Sequence, residues 1–109
     1  SIYNTVMNRG PIENKIINSL INSMNVSSLK VLNESFMHNV PKDSESHFKI
    51  VIVSNDFKNL SLIQRHKLVY KSLDNIMNNI HALSIQSFSD DEFALNPIIL
   101  DSPECANKK

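Results

Sequence analysis

The sequence predicts an α+β domain with the element order α-β-β-α-β-α, and three observations carry that reading. Ile12, Ile16, Leu20 and Met24 step by four, the spacing of one helix face. The β-branched run from His47 to Val53 alternates like a strand. Ser61 with Gln64, and later Ser89 with Glu92, form two capping boxes that mark where further helices begin.

Taken in order, residues 1–9 show no apolar period and read as a flexible leader, ahead of a domain over 10–96 and a flexible tail over 97–109. Gly10 and Pro11 open the first helix, because Gly is tolerated at the N-cap and Pro is favoured at the first helical position. Glu13 complements the dipole of that helix, which ends near Asn25. Leu29 to Ser35 reads as a short strand, and Phe36 to Ser46, with Pro41, Asp43 and Ser44, as an exposed loop. The strand His47 to Val53 places Phe48, Ile50 and Ile52 on one face and Lys49, Val51 and Val53 on the other. Behind the first capping box, Leu62, His66, Val69, Leu73 and Ile76 hold helical spacing to about Asn78. Ile80 to Phe88 alternates again, with His81, Leu83 and Ile85 on one side. The second box opens a short helix through Phe93, which Pro97 stops. The first two strands are close enough to pair antiparallel, and the strand-helix-strand unit closes as a right-handed parallel crossover. The expected result is a three-stranded mixed sheet with helices on one face and Phe48, Ile50, Ile52, Leu73 and Leu83 in its core.

At 109 residues with 41% apolar composition, the chain is sized for one modest core. Eleven basic and eleven acidic residues cancel, so no global field steers it toward nucleic acid or a membrane surface. The longest apolar run is Ile50–Val53, too short to span a bilayer, and no membrane partner is expected. A single cysteine, Cys105, excludes an internal disulfide and any self-contained cage of several thiolates. The chain opens on Ser1 without an initiator methionine, which leaves room for a leader ahead of it.

An enzyme is not expected. The chain has no G-x-S-x-G, P-loop, dinucleotide fingerprint or H-E-x-x-H, and its one glycine, Gly10, is not between a strand and a helix. Asp90, Asp91 and Glu92 are explained by capping and dipole roles at a helix start. Among four histidines, His38 rides on the loop, His47 reads as a surface residue at a strand start, and His81 opens the third strand. Neither His38 nor His81 has a partner at local metal spacing. His66 falls on an apolar helix stripe and reads as packed and hydrogen-bonded. Arg65, His66, Lys67 and Lys71 are the one concentration of positive charge, a candidate contact for a partner or nucleic acid. On a helix Lys67 and Lys71 share a face, whereas Arg65 and Lys67 do not.

Several blocks then carry a resemblance. Asn33-Glu34-Ser35, His38-Asn39-Val40-Pro41 and Ser44-Glu45-Ser46-His47-Phe48 resemble the start of the BolA family domain. The strand Phe48 to Ser54, then Phe57, Leu62 and Gln64-Arg65-His66-Lys67-Leu68-Val69-Tyr70, looks like its central signature, and Ile80-His81-Ala82-Leu83 like its third strand. The similarity runs from about Gly10 to Phe93. Gly10-Pro11-Ile12-Glu13 and Asp101-Ser102-Pro103-Glu104-Cys105 resemble the mitochondrial-type branch. One position departs: the family usually has glycine two residues after the phenylalanine, where this chain has Asn59, the next-best residue for a left-handed backbone.

The resemblance implies a fold related to class II KH domains, partnership with a monothiol glutaredoxin, and a [2Fe–2S] cluster shared in iron–sulfur delivery. It implies histidine ligands from the loop and from the third strand, which match His38 and His81. Two imidazoles from this chain with two thiolates, from a partner and its glutathione, would complete four terminal ligands, and His/Cys ligation tunes cluster potential. No cofactor is expected on the isolated chain, which should be monomeric. The expected compartment is the mitochondrion, with the cytoplasm as alternative. The alternative function is a nucleic-acid-binding transcriptional regulator of KH-like fold, although the G-x-x-G clamp of KH domains is missing. A structural adaptor that binds glutaredoxin without sharing a cluster is the third reading.

Overall fold

The computed structural model describes residues 10–35 and 45–96. Helix α1 (Pro11–Ser23) leads into strand β1 (Val26–Asn33). Strand β2 (His47–Ser54) and a 3₁₀ turn (Asn55–Phe57) precede helix α2 (Leu62–Leu73). A second 3₁₀ segment (Asp74–Asn79), strand β3 (Ala82–Phe88) and helix α3 (Asp90–Leu95) complete the order. The fold is the expected α+β arrangement. The expected leader (1–9), tail (97–109) and most of the loop (36–44) lie outside the described residues.

Strand order is β1-β2-β3, with β2 central. β1 pairs antiparallel to β2, so that Val31 faces Ile50 and Leu29 faces Ile52. β3 pairs parallel to β2, with Leu83 beside Phe48 and Ile85 beside Ile50. This register gathers Leu29, Val31, Phe48, Ile50, Ile52, Leu83 and Ile85 into the core with Ile16 and Leu20 of α1 and Val69 and Leu73 of α2. Phe48, Ile50, Ile52 and Leu73 are buried as expected, and Leu83 is half-buried against them. Val51 and Val53 alternate away from that core yet are also buried.

Three boundaries differ from expectation. β1 begins at Val26, through Ser27 and Ser28 that carry no apolar signal, and a register shift between Val26 and Ser28 accommodates them. α2 stops at Leu73, not near Asn78, because Asp74 turns to φ 44° and the Asn-rich segment after it tightens to 3₁₀. Asp and Asn compete with helical hydrogen bonding and tolerate positive φ, which suits them to this stop. β3 begins at Ala82, leaving His81 one residue ahead of it. Both capping boxes are formed, Ser61 with Gln64 and Ser89 with Glu92. Asn59 takes φ 69°, the left-handed conformation expected there.

The N-terminus of α1 is capped from a distance. Glu45 accepts from the backbone N–H groups of Ile12 (3.1 Å) and Glu13 (3.0 Å), two donors a helix start leaves unpaired. A Cβ at position 10 would overlap that carboxylate, so the one glycine of the chain stands where Glu45 must pass.

Candidate metal-ligand site at the sheet end

At one end of the sheet, where β1 leaves and β2 and β3 enter, backbone groups converge on Ser46. Its N–H donates to the Ser35 hydroxyl (2.8 Å), which also accepts from His47 N–H (3.1 Å). Its carbonyl accepts from His81 N–H (2.8 Å) and Ala82 N–H (3.1 Å). Glu34 N–H donates to the His47 carbonyl (2.8 Å). Ser35 is buried to do this work, two residues past the end of β1, where the expected strand still ran. The chain entering and leaving 36–44 is thus clamped at a neck, and the same neck holds the backbone of His81.

Two imidazoles stand on this frame. The His47 and His81 ring centroids are 5.0 Å apart with ring planes tilted by 54°. His81 is exposed, and His47 is half-buried, more than the surface position expected for it. Its Nδ1 shares a 2.8 Å hydrogen bond with Ser46 Oγ, which fixes the ring's orientation. His38 lies outside the described residues. Among the described residues, no group of three or more His, Cys, Asp or Glu side chains could hold a metal ion. The described residues of the site therefore include two imidazoles but not a closed ligand set.

The basic cluster separates into two parts. Arg65 is 6% exposed and its guanidinium is committed inward, which corrects its reading as a partner or nucleic-acid contact. It pairs with both Glu92 oxygens (2.7 and 3.0 Å), donates to the carbonyls of Ser87 (3.2 Å) and Leu60 (3.0 Å), and lies 5.8 Å from the Phe57 ring centroid. Arginine's planar fork suits such a bidentate, carbonyl-rich corner. The Arg65 guanidinium, with the Ser89 N–H, holds the Glu92 carboxyl down at about 2. Lys67 and Lys71 remain exposed on α2, with Tyr70 beside them, while His66 is half-buried. No helix among the described residues is long and apolar enough to cross a membrane.

This is a small mixed-sheet domain that presents side chains at a sheet end, and comparison with known proteins places it in a family. The family described as BolA-like protein matches residues 20–92. A BolA-like protein of Dictyostelium discoideum is 51% identical over 89 residues, 80% of this chain and 78% of that protein. A DNA-binding transcriptional regulator BolA of Vibrio cholerae is 43% identical over 96 residues, covering 86% of this chain and 91% of that protein. The solution structure of BolA1 from Mus musculus superimposes with a TM-score of 0.73 at 37% identity, over 81% of this chain and 72% of that one. The chain belongs to the BolA family.

Proposed function

We propose that this chain is an adaptor in iron–sulfur cluster assembly or delivery, which binds a monothiol glutaredoxin and shares a [2Fe–2S] cluster with it through His81 and His38. The observation that supports it most is the exposed His81 at a sheet end, beside a second imidazole and with no closed ligand set among the described residues. Such a site leaves room for donors from the loop and from another molecule. The cluster is cargo here, and thiolates of a glutaredoxin and of glutathione supply what a chain with one cysteine does not. His38 is three residues along the chain from Ser35, whose hydroxyl ties the sheet end. The role is binding, without catalysis, and the isolated chain is monomeric and free of cofactor. The resemblance of Gly10-Pro11-Ile12-Glu13 and Asp101-Ser102-Pro103-Glu104-Cys105 to the mitochondrial-type branch supports a mitochondrial location.

The test is reconstitution with a monothiol glutaredoxin and glutathione, followed by visible absorption and circular dichroism. His81→Ala should lose the spectrum of the mixed complex or revert to that of a glutaredoxin-only cluster. His38→Ala should do less, and Cys105→Ser should leave the spectrum nearly unchanged. A wild-type spectrum from His81→Ala, with its loss in Cys105→Ser, would move the ligand to the tail thiolate and overturn the assignment.

A second reading is nucleic-acid binding, supported by the function named for the Vibrio cholerae relative. The outward face of α2 offers Lys67 and Lys71, with His66 half-exposed, but not Arg65. So few phosphate contacts give weak binding that falls steeply with salt. Sequence-specific binding at physiological salt would promote this reading over the adaptor.

A further inference from the structure

We propose that residues 97–104 fold back over the sheet face opposite α1 and α2, with the apolar run Ile98-Ile99-Leu100 seated on Val51 and Leu32. Val51 is 0% and Val53 1% exposed, yet neither belongs to the core cluster built on Phe48, Ile50 and Ile52. Successive strand residues alternate, so both valines point to the other face of the sheet. α1 and α2 are spent on the core side, through Ile16, Leu20, Val69 and Leu73. A sheet face with no layer against it is ordinarily polar and wet, so side chains this dry need a cover. On this face Val51 lies between Lys30 and Gln86, and Lys49 between Leu32 and Ser84. Lys30 and Leu32 are half-buried while Gln86 and Ser84 are exposed, so the cover lies over the half of the face made by β1 and β2.

Helix α3 packs against β2 and β3, but it starts two residues past Phe88, the partner of Val53, and its six residues make a helix only about 9 Å long. It stands at the Val53 end, and Val51 lies about 7 Å further down the strand. The chain that leaves α3 carries the chemistry the rest of the face needs. Ile98, Ile99 and Leu100 match Val51 and Leu32, and Asp101 and Glu104 bring charge opposite to Lys30 and Lys49 on the same face. Length suffices as well. Eight extended residues span at most about 28 Å, whereas Val53 to Lys49 is about 14 Å along β2. A second copy or a foreign segment would have to compete with one already tethered beside the site, at the high effective concentration a short linker gives. A sheet face closed in this way is closed to nucleic acid, with its two lysines set against the chain's own acids. Neither His81 nor a glutaredoxin takes part, so the cover stands or falls separately from the shared-cluster reading.

The test is methyl NMR of the full chain with a dissolved paramagnetic agent, which broadens the methyl groups it can reach. In the unaltered chain Val51 should be as protected as Ile50, and its methyls should show Overhauser contacts to Ile98, Ile99 or Leu100. The full chain carrying Ile98→Ser, Ile99→Ser and Leu100→Ser together should lose the protection of Val51, whose broadening should rise toward that of the exposed Ile63. Ile50 and Ile52 should stay protected in that variant and so report an intact core. The contacts in the unaltered chain decide the matter even if the variant fails to fold, and their absence would overturn the proposal. Protection of Val51 that survives the triple substitution would assign the cover to α3 alone, and protection that fades on dilution would assign it to a second copy; either result overturns it too.

Discussion

Two polar regions of this small domain are built in opposite ways. At the Arg65 corner, every strong group meets a partner inside the molecule: the guanidinium has a carboxylate, two carbonyls and an aromatic face. At the Ser46 neck, the backbone is equally well satisfied, but an exposed imidazole is held outward. Arg65 and His66 stand together in the basic cluster of the sequence, yet that charge is partly structural. The sheet end, by contrast, carries no formal charge concentration and holds the candidate donors. A polar group's availability follows from what already pairs with it, not from the density of charge around it in sequence.

The largest test of this contrast is Arg65→Ala. Removing it deletes packing over Phe57 and leaves Glu92 and two carbonyls without their donor, a loss of about 3 kcal/mol, low in the range for broken buried pairs because Glu92 is half in solvent. Urea unfolding measures it, and a loss below about 1 kcal/mol would make the corner as dispensable as a surface ion pair. Acid should expose the same corner. The Glu92 carboxyl is lowered from 4.5 to about 2, so its contribution is fully present above pH 4.5 and is lost as pH falls toward 2. Glu92→Gln should flatten the unfolding midpoint across that window, and an unchanged acid limb would show that other carboxylates dominate it.

Smaller effects belong to the neck. Gly10→Ala should displace the Glu45 carboxylate and cost about 1–2 kcal/mol, the worth of a helix cap. Glu45→Ala should cost a similar amount, and the two together little more than either, because each removes the same cap. Additive losses would mean that Gly10 and Glu45 act independently. His81→Ala should change stability least, by under about 0.5 kcal/mol, since an exposed ring ahead of a strand holds little in place. A large loss there would make the imidazole structural and remove the contrast between the two regions.

Most of the fold was legible in the sequence because its signals are local. The capping boxes at Ser61 and Ser89, the four-residue steps of α1 and the alternation in β2 each span a handful of neighbours, whereas the left-handed Asn59 was expected from the glycine the family usually carries there. The start of β1 was missed because Val26 and Ser28 owe their strand conformation to pairing with β2, across a register shift at Ser27, not to their own pattern. The end of α2 was missed because apolar spacing continues through Ile76 after the backbone has turned at Asp74. The candidate site was half legible. Family likeness singled out His81 and His38, but His47 joins His81 only through the parallel register of β2 and β3, and no local pattern carries that. Glu45 and Arg65 were opaque for the same reason, since their partners lie 32 or 33 and 27 residues away.

The neck has an evolutionary consequence. Ser35 and Ser46 fix the two ends of the segment between them, so that segment can lengthen or shorten without disturbing the strands. Doubling the length of a closed loop costs only about 0.6 kcal/mol, which the clamped ends can absorb. Insertions between residues 36 and 44 would therefore be cheap, and the register that sets His47 beside Ala82 would stand unchanged.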